Sequence, residues 1–140
     1  RLNDLIKSEL DQKLDTTIPW EQFASRMESN KNQFRNLITQ LKSEGDKIAA
    51  LGASTKGNVT LQTWGITSED ILVVGDVNPD KDGSYTPGTW IPIKDEDVVI
   101  QNYDAFVILP WHFKNFFITK EKFKGKKLIF PLPTPQIIIP

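Results

Sequence analysis

Cysteine is missing from these 140 residues, and histidine occurs once, at His112. Without thiols the chain can build neither a disulfide framework nor a cysteine-based metal site, and such a composition fits the reducing cytoplasm. No apolar run approaches the roughly 20 residues that cross a bilayer, which excludes membrane insertion. Charge of one sign is lacking too: 17 Lys and Arg stand against 18 Asp and Glu, a net charge of -1. With both signs mixed along the chain there is no positive field for a phosphate backbone, so nucleic acid is excluded as a partner. There is no initiator methionine before Arg1, and the first segment is polar where a signal peptide would be apolar. The chain reads as a piece of a longer protein.

What is present is the material of one soluble domain, 39% hydrophobic and 25% charged. The length suffices for a real core and leaves no room for a second catalytic domain. Leu2, Leu5, Ile6, Leu10 and Leu14 recur at three- and four-residue steps, the spacing of one helical face, and predict a helix packed on a surface. Thr16, Thr17 and Pro19 interrupt the period and start a second helix. Its stripe of Trp20, Phe23, Ala24, Met27, Phe34, Leu37, Ile38 and Leu41 reads as core packing, ending near Glu44 and Gly45.

Beyond Gly45 the pattern changes. Lys47–Leu51 is a short apolar strand, Gly52–Asn58 a turn of small residues, Leu61–Trp64 part of a helix, and Ile71–Val74 a second buried-type strand leading to Asp76. This βαβ unit calls for a parallel sheet. A long loop from Pro79 to Thr89 follows, with Pro87-Gly88 as the central pair of a type II turn. A short strand at Trp90–Ile93, an acidic turn, a strand at Ala105–Leu109, a helix from Trp111–Phe113 and a last strand at Lys127–Phe130 complete the reading. A tail rich in Pro and Ile closes the chain.

Gly52 and Gly57 bracket the most informative stretch. Glycine lets backbone N–H groups approach a ligand, and the helix that follows presents unpaired N–H groups to an anion. Ser54 and Thr55 add hydroxyl donors, and Lys56 a point charge for a diphosphate. Lys56 precedes the second glycine and Asn58 stands where Lys is required, so this is not a Walker A loop. The middle glycine of a dinucleotide fingerprint is absent, yet Asp76 lies near the expected ~20 residues downstream. A nicotinamide dinucleotide in an oxidoreductase fragment therefore stays open, as does a plain strand-to-helix turn in a non-catalytic docking domain. His112 stands where a strand meets a helix, at the ligand-binding end of a parallel sheet.

Gly52-Ala53-Ser54-Thr55-Lys56-Gly57-Asn58, Asn78-Pro79-Asp80-Lys81, Tyr85-Thr86-Pro87-Gly88-Thr89, Ile91-Pro92-Ile93, Leu109-Pro110-Trp111-His112-Phe113 and Phe130-Pro131-Leu132-Pro133 occur in one order. This set resembles the C-terminal domain of the S-adenosylmethionine-dependent C-methyltransferases that act on nucleotide-linked deoxysugars. The resemblance implies an α/β fold with a Rossmann-like, mainly parallel sheet flanked by helices over residues 46–140, preceded by linking helices over residues 1–45. It implies that Ser54, Thr55, Lys56, Gly57 and Asn58 face a nucleotide diphosphate and that Tyr85, Thr86 and Thr89 approach the sugar or nucleoside. Asn78 and Lys81 would support that loop, and His112 would line the same crevice. Zinc, S-adenosylmethionine and the catalytic base would belong to preceding domains of the polypeptide, so no residue here is expected to be catalytic.

Overall fold

The computed structural model describes residues 1–140. Two helices come first, α1 (Leu2–Asp11) and α2 (Ile18–Ser43), followed by β1 (Ile48–Leu51), α3 (Thr55–Thr63), β2 (Val74–Asp76) and β3 (Ile93–Asp95). Then come α4 (Glu96–Asn102), β4 (Ala105–Ile108), α5 (Lys114–Thr119), β5 (Lys127–Phe130) and β6 (Gln136–Ile138). The strands form one sheet in the order β3-β2-β1-β4-β5-β6. All neighbours are parallel except the final β5–β6 pair. The chain is thus α/β with a mainly parallel sheet, as its sequence implies.

Every residue of β1 is buried, and alternation divides it between two cores. Ile48 and Ala50 join Phe34, Ile38, Leu41, Leu61 and Trp64 from α2 and the α3 segment. Ala49 and Leu51 join Val99, Ile100, Phe117 and Phe123 on the other face. Helices therefore cover both sides, which is why the strands read as unbroken apolar runs.

The stripe along the first two helices divides in a way that periodicity does not show. Phe34, Ile38 and Leu41 are buried, with Phe34 tilted on Trp64 at 5.2 Å between ring centroids. Trp20 and Phe23 are exposed, and α1 buries none of its residues, leaving Leu2, Leu5, Ile6 and Leu10 facing solvent. The surface-packed helix expected at Leu2–Leu14 is corrected to an amphipathic helix with no partner in this chain, because periodicity reports an apolar face and not its cover.

Other boundaries shift by tertiary pairing. The second strand forms at Val74–Asp76, the residues that pair with Ala50 and Leu51 of β1 and with β3. Trp90 is excluded from the expected Trp90–Ile93 strand by its left-handed φ of 56°, and pairing begins at Ile93. The acidic turn proves to be β3 running into α4, whose N-cap Asp95 accepts from the N–H groups of Asp97 and Val98. In the Pro- and Ile-rich tail, Gln136–Ile138 forms the antiparallel edge strand.

Substitution separates the two kinds of apolar helix residue. Phe34→Ala is expected to cost about 3–5 kcal/mol of stability, whereas Leu5→Ala should change it by no more than about 0.5 kcal/mol. Urea unfolding followed by far-ultraviolet circular dichroism measures both, and equal losses would show that α1 packs on the domain after all.

Candidate functional site

β1 and β4 are adjacent, but the chain leaves them in opposite directions, towards β2 on one side and β5 on the other. This is the topological switch point of the sheet, and ligands of open α/β sheets bind in the crevice beyond the carboxyl ends of the strands there. Gly52 ends β1 with φ 84°, and a Cβ on it would lie 2.8 Å from Pro110 Cδ after β4. A left-handed backbone and a close approach both require glycine at this position.

Ser54 caps α3, its Oγ accepting from the Gly57 N–H at 3.1 Å. The next residues, Thr55 and Lys56, are exposed, and the Lys56 ammonium pairs with no carboxylate of the chain. Gly57 serves packing: its hypothetical Cβ would stand 2.7 Å from Leu109 Cβ, so glycine allows α3 to lie against the end of β4. Half-buried Asn58 has a buried side-chain carbonyl oxygen with no donor.

Asp76 organises the floor of this region. Its Oδ2 accepts from the Ala53 N–H at 2.7 Å and from the Lys81 ammonium at 2.9 Å, and its Oδ1 accepts from the Asn78 N–H at 2.9 Å. Lys81 also donates to the Ala53 carbonyl at 3.0 Å, and Asn78 caps the short 3-10 turn at Pro79–Lys81. The acidic residue that the spacing offered to a ribose is therefore engaged by the protein's own donors. Lys81 and Asn78 support the turn at β1 and β2, not the tip of the following loop.

That loop folds back along the sheet edge. The Gly83 N–H donates to Ile93, the Ile93 N–H to Ser84 and the Thr86 N–H to Ile91, with Tyr85 and Pro92 bridged in antiparallel fashion. The tip thus lies beyond the amino end of β3, and Gln62 donates from the last turns of α3 to the Pro87 carbonyl at 2.7 Å. Eight residues separate Ser54 from Gln62 along α3, a rise of ~12 Å. Thr86 is fully buried, its hydroxyl accepting from the Ile91 N–H and sharing a 2.6 Å hydrogen bond with Thr89. Tyr85 and Trp90 are exposed with ring centroids 6.5 Å apart. The resemblance gives Tyr85, Thr86 and Thr89 to the sugar or nucleoside of a ligand whose diphosphate meets Ser54–Lys56; the hairpin carries the three down the flank of α3. His112 is exposed between Trp111 and Phe113, its ring 4.3 Å from that of Phe113.

A cavity of about 470 Å³ opens on the other side of the Gly52 turn. Pro110, Phe113, Phe116 and Phe117 form its apolar wall, and Asp76, Glu96 and Lys122 bring charge to its edge. Sequence reasoning missed this wall and its Glu96–Lys122 pair. Phe113, Phe116 and Phe117 follow i, i+3, i+4 spacing and mark one helical face, but Glu96 was hidden in the supposed acidic turn.

The Asp76 latch is also a pH device. Burial pushes its carboxyl up, but the Asn78 N–H, the Lys81 ammonium and the Ala53 N–H together outweigh that and hold it below the usual aspartate value. A carboxyl lowered on folding contributes stability above its unfolded value near 4, and that contribution is lost as pH falls through the folded value. Asp76→Asn is expected to cost about 2 kcal/mol at pH 7, with the gap to the unaltered protein narrowing towards pH 3. Urea unfolding at both pH values measures it, and a gap independent of pH would remove the charge from the explanation.

The C-methyltransferase C-terminal domain family matches residues 1–133. The C-methyltransferase NovU of Streptomyces niveus is 29% identical over 139 residues, covering 96% of this chain and 33% of its own length. The chain therefore spans about a third of the curated relative it matches. A sheet with its switch point at a glycine turn, and a family match running through both opening helices and all but the last edge strand, lead to one assignment: this chain belongs to the C-methyltransferase C-terminal domain family.

Proposed function

We propose that this domain holds the diphosphate of a nucleotide-linked deoxysugar at the first turn of α3, so that another part of the same polypeptide can methylate a sugar carbon. The observation that carries the reading is the position of Thr55 and Lys56. They stand exposed at the start of a helix that begins at the carboxyl end of the central strand, beside the switch point of a sheet whose family is that of C-methyltransferases. Helix-start N–H groups and an unpaired ammonium are complementary to a diphosphate. Ser54 is already committed to the Gly57 N–H, so its part is to orient that turn.

In this reading the methyl group comes from S-adenosylmethionine held outside this chain. No three His, Cys, Asp or Glu side chains converge here, so these residues offer zinc no cradle. The domain contributes by orientation. Fixing the sugar relative to a donor replaces a chance encounter by a preset geometry, and rate gains of that origin are large. A methyl-donor domain of the same polypeptide is the proposed partner; no helix of this chain is long and apolar enough to cross a membrane.

Calorimetric titration of the 140-residue chain with thymidine diphosphate sugars tests the reading. Binding is expected, with Lys56→Ala weakening it about tenfold through loss of one charge-assisted contact. No heat from any nucleotide diphosphate would sink it.

A further inference from the structure

The first helix has a defined stop but no cover. Lys13 ends α1 with a left-handed φ of 57°, its N–H donating to the Leu10 carbonyl and the Leu14 N–H to the Glu9 carbonyl, the paired bonds of a Schellman motif. Yet none of the ten helical residues is buried, and Leu2, Leu5, Ile6 and Leu10 are 70%, 57%, 46% and 53% exposed. Ten residues hold helical form poorly without a packing surface. No element of the same copy supplies one.

The pattern of the stripe specifies what would cover it. Side chains four residues apart stack along one helix face, and α1 carries two such rows side by side: Leu2, Ile6 and Leu10, and Arg1, Leu5 and Glu9. The first row is apolar and symmetric in spacing about Ile6. The second has a cation at one end and a carboxylate at the other, with leucine between. Laid antiparallel on a copy of itself, the first row sets Leu2 against Leu10 and Ile6 against Ile6. The second sets the Arg1 of each copy beside the Glu9 of the other, offset by ~3 Å along the axis and within reach of an arginine side chain. Rows of this kind are the ridges that interdigitate in the commonest class of helix packing.

Electrostatics favours the same arrangement. Arg1 caps the amino end of α1 and Glu9 lies in its last turn, so each stands where the partial charge of its own helix has the same sign. Both are exposed, and neither side chain forms an ion pair within the chain. An antiparallel copy turns both repulsions into attractions. A lipid surface is the poorer match, since Asp4, Glu9 and Asp11 stand against Arg1 and Lys7 and leave no basic excess for anionic headgroups. At about 100 Å² for each exposed apolar side chain, the stripe supplies about half of what one partner brings to a standard interface. That area suits a reversible dimer and not a permanent one.

We infer that α1 is a self-association surface, through which two copies of this chain pair as antiparallel helices about Ile6. The pairing does not involve the proposed ligand, so this inference and the proposed function stand or fall separately.

Sedimentation equilibrium of the 140-residue chain from about 1 µM to about 1 mM tests it, the range in which so small an interface dissociates. The mass is expected to rise from 15.9 kDa towards that of a dimer, with helical circular dichroism rising in step. Ile6→Lys sets two like charges at the symmetry axis and should give a monomer throughout, with an unchanged urea midpoint at the lowest concentration. Leu10→Lys is a second position should Ile6→Lys fold poorly. Arg1→Glu and Glu9→Arg should each weaken the dimer about fivefold, and the two reversals combined in one chain should restore it. The inference is overturned by a chain that stays monomeric, by a dimer that Ile6→Lys and Leu10→Lys leave intact, or by a double reversal that recovers nothing. It falls too if α1 gains helicity only on phosphatidylglycerol vesicles or only within a longer polypeptide, since the stripe then has a different cover.

Discussion

The carboxylate of Asp76 is the constraint on which the site depends. It stands at the end of β2 and takes hydrogen bonds from the turn after β1, from its own following turn and from Lys81. Those bonds fix where the chain leaves the sheet at two adjacent strands. The parallel pairing of β1 with β2 and β4 brings the strand ends level, but pairing alone does not aim a turn. With Asp76 tying Ala53, the helix start of α3 is held facing the crevice, and the cavity on the far side of Gly52 keeps its mouth. A buried carboxylate satisfied in this way costs little, whereas the same group without its partners would be strongly unfavourable.

Two compartments result, one polar and one aromatic, meeting at a glycine. The polar one consists of helix-start N–H groups and Lys56, and suits compact negative charge. The aromatic one is walled by Pro110, Phe113, Phe116 and Phe117 and bounded by the Glu96–Lys122 ion pair. Because Gly52 tolerates no side chain against Pro110, the partition between them is only a backbone thick. The Tyr85–Trp90 hairpin stands apart from both, secured to the flank of α3 by Gln62.

That the sheet is mainly parallel was legible in the sequence because buried parallel strands are short and uniformly apolar, and because glycine marks the βα turn; the order of the strands was not. Ser54, Lys56 and the end of β2 at Asp76 could be placed by spacing alone. What the sequence concealed depended on contacts between distant segments. Gln136–Ile138 becomes a strand only because β5 lends it an edge, and β3 with α4 looked like a turn because only the first of the three β3 residues is buried. Gly57 looked like a ligand-facing glycine until Leu109 was found against it. Phe113 and Phe116 were visible as letters, but nothing local shows that a ring will remain uncovered.

The bare apolar stripe of α1 has a consequence for handling this chain on its own. Leu2, Leu5, Ile6 and Leu10 all meet water on a helix that no other element supports. A stripe of that kind lowers the colloidal stability of the free polypeptide, so that its apparent size in solution becomes a function of concentration and ionic strength. Its helicity over those residues becomes a function of whatever surface it finds, since an unsupported helix of ten residues is marginal in water.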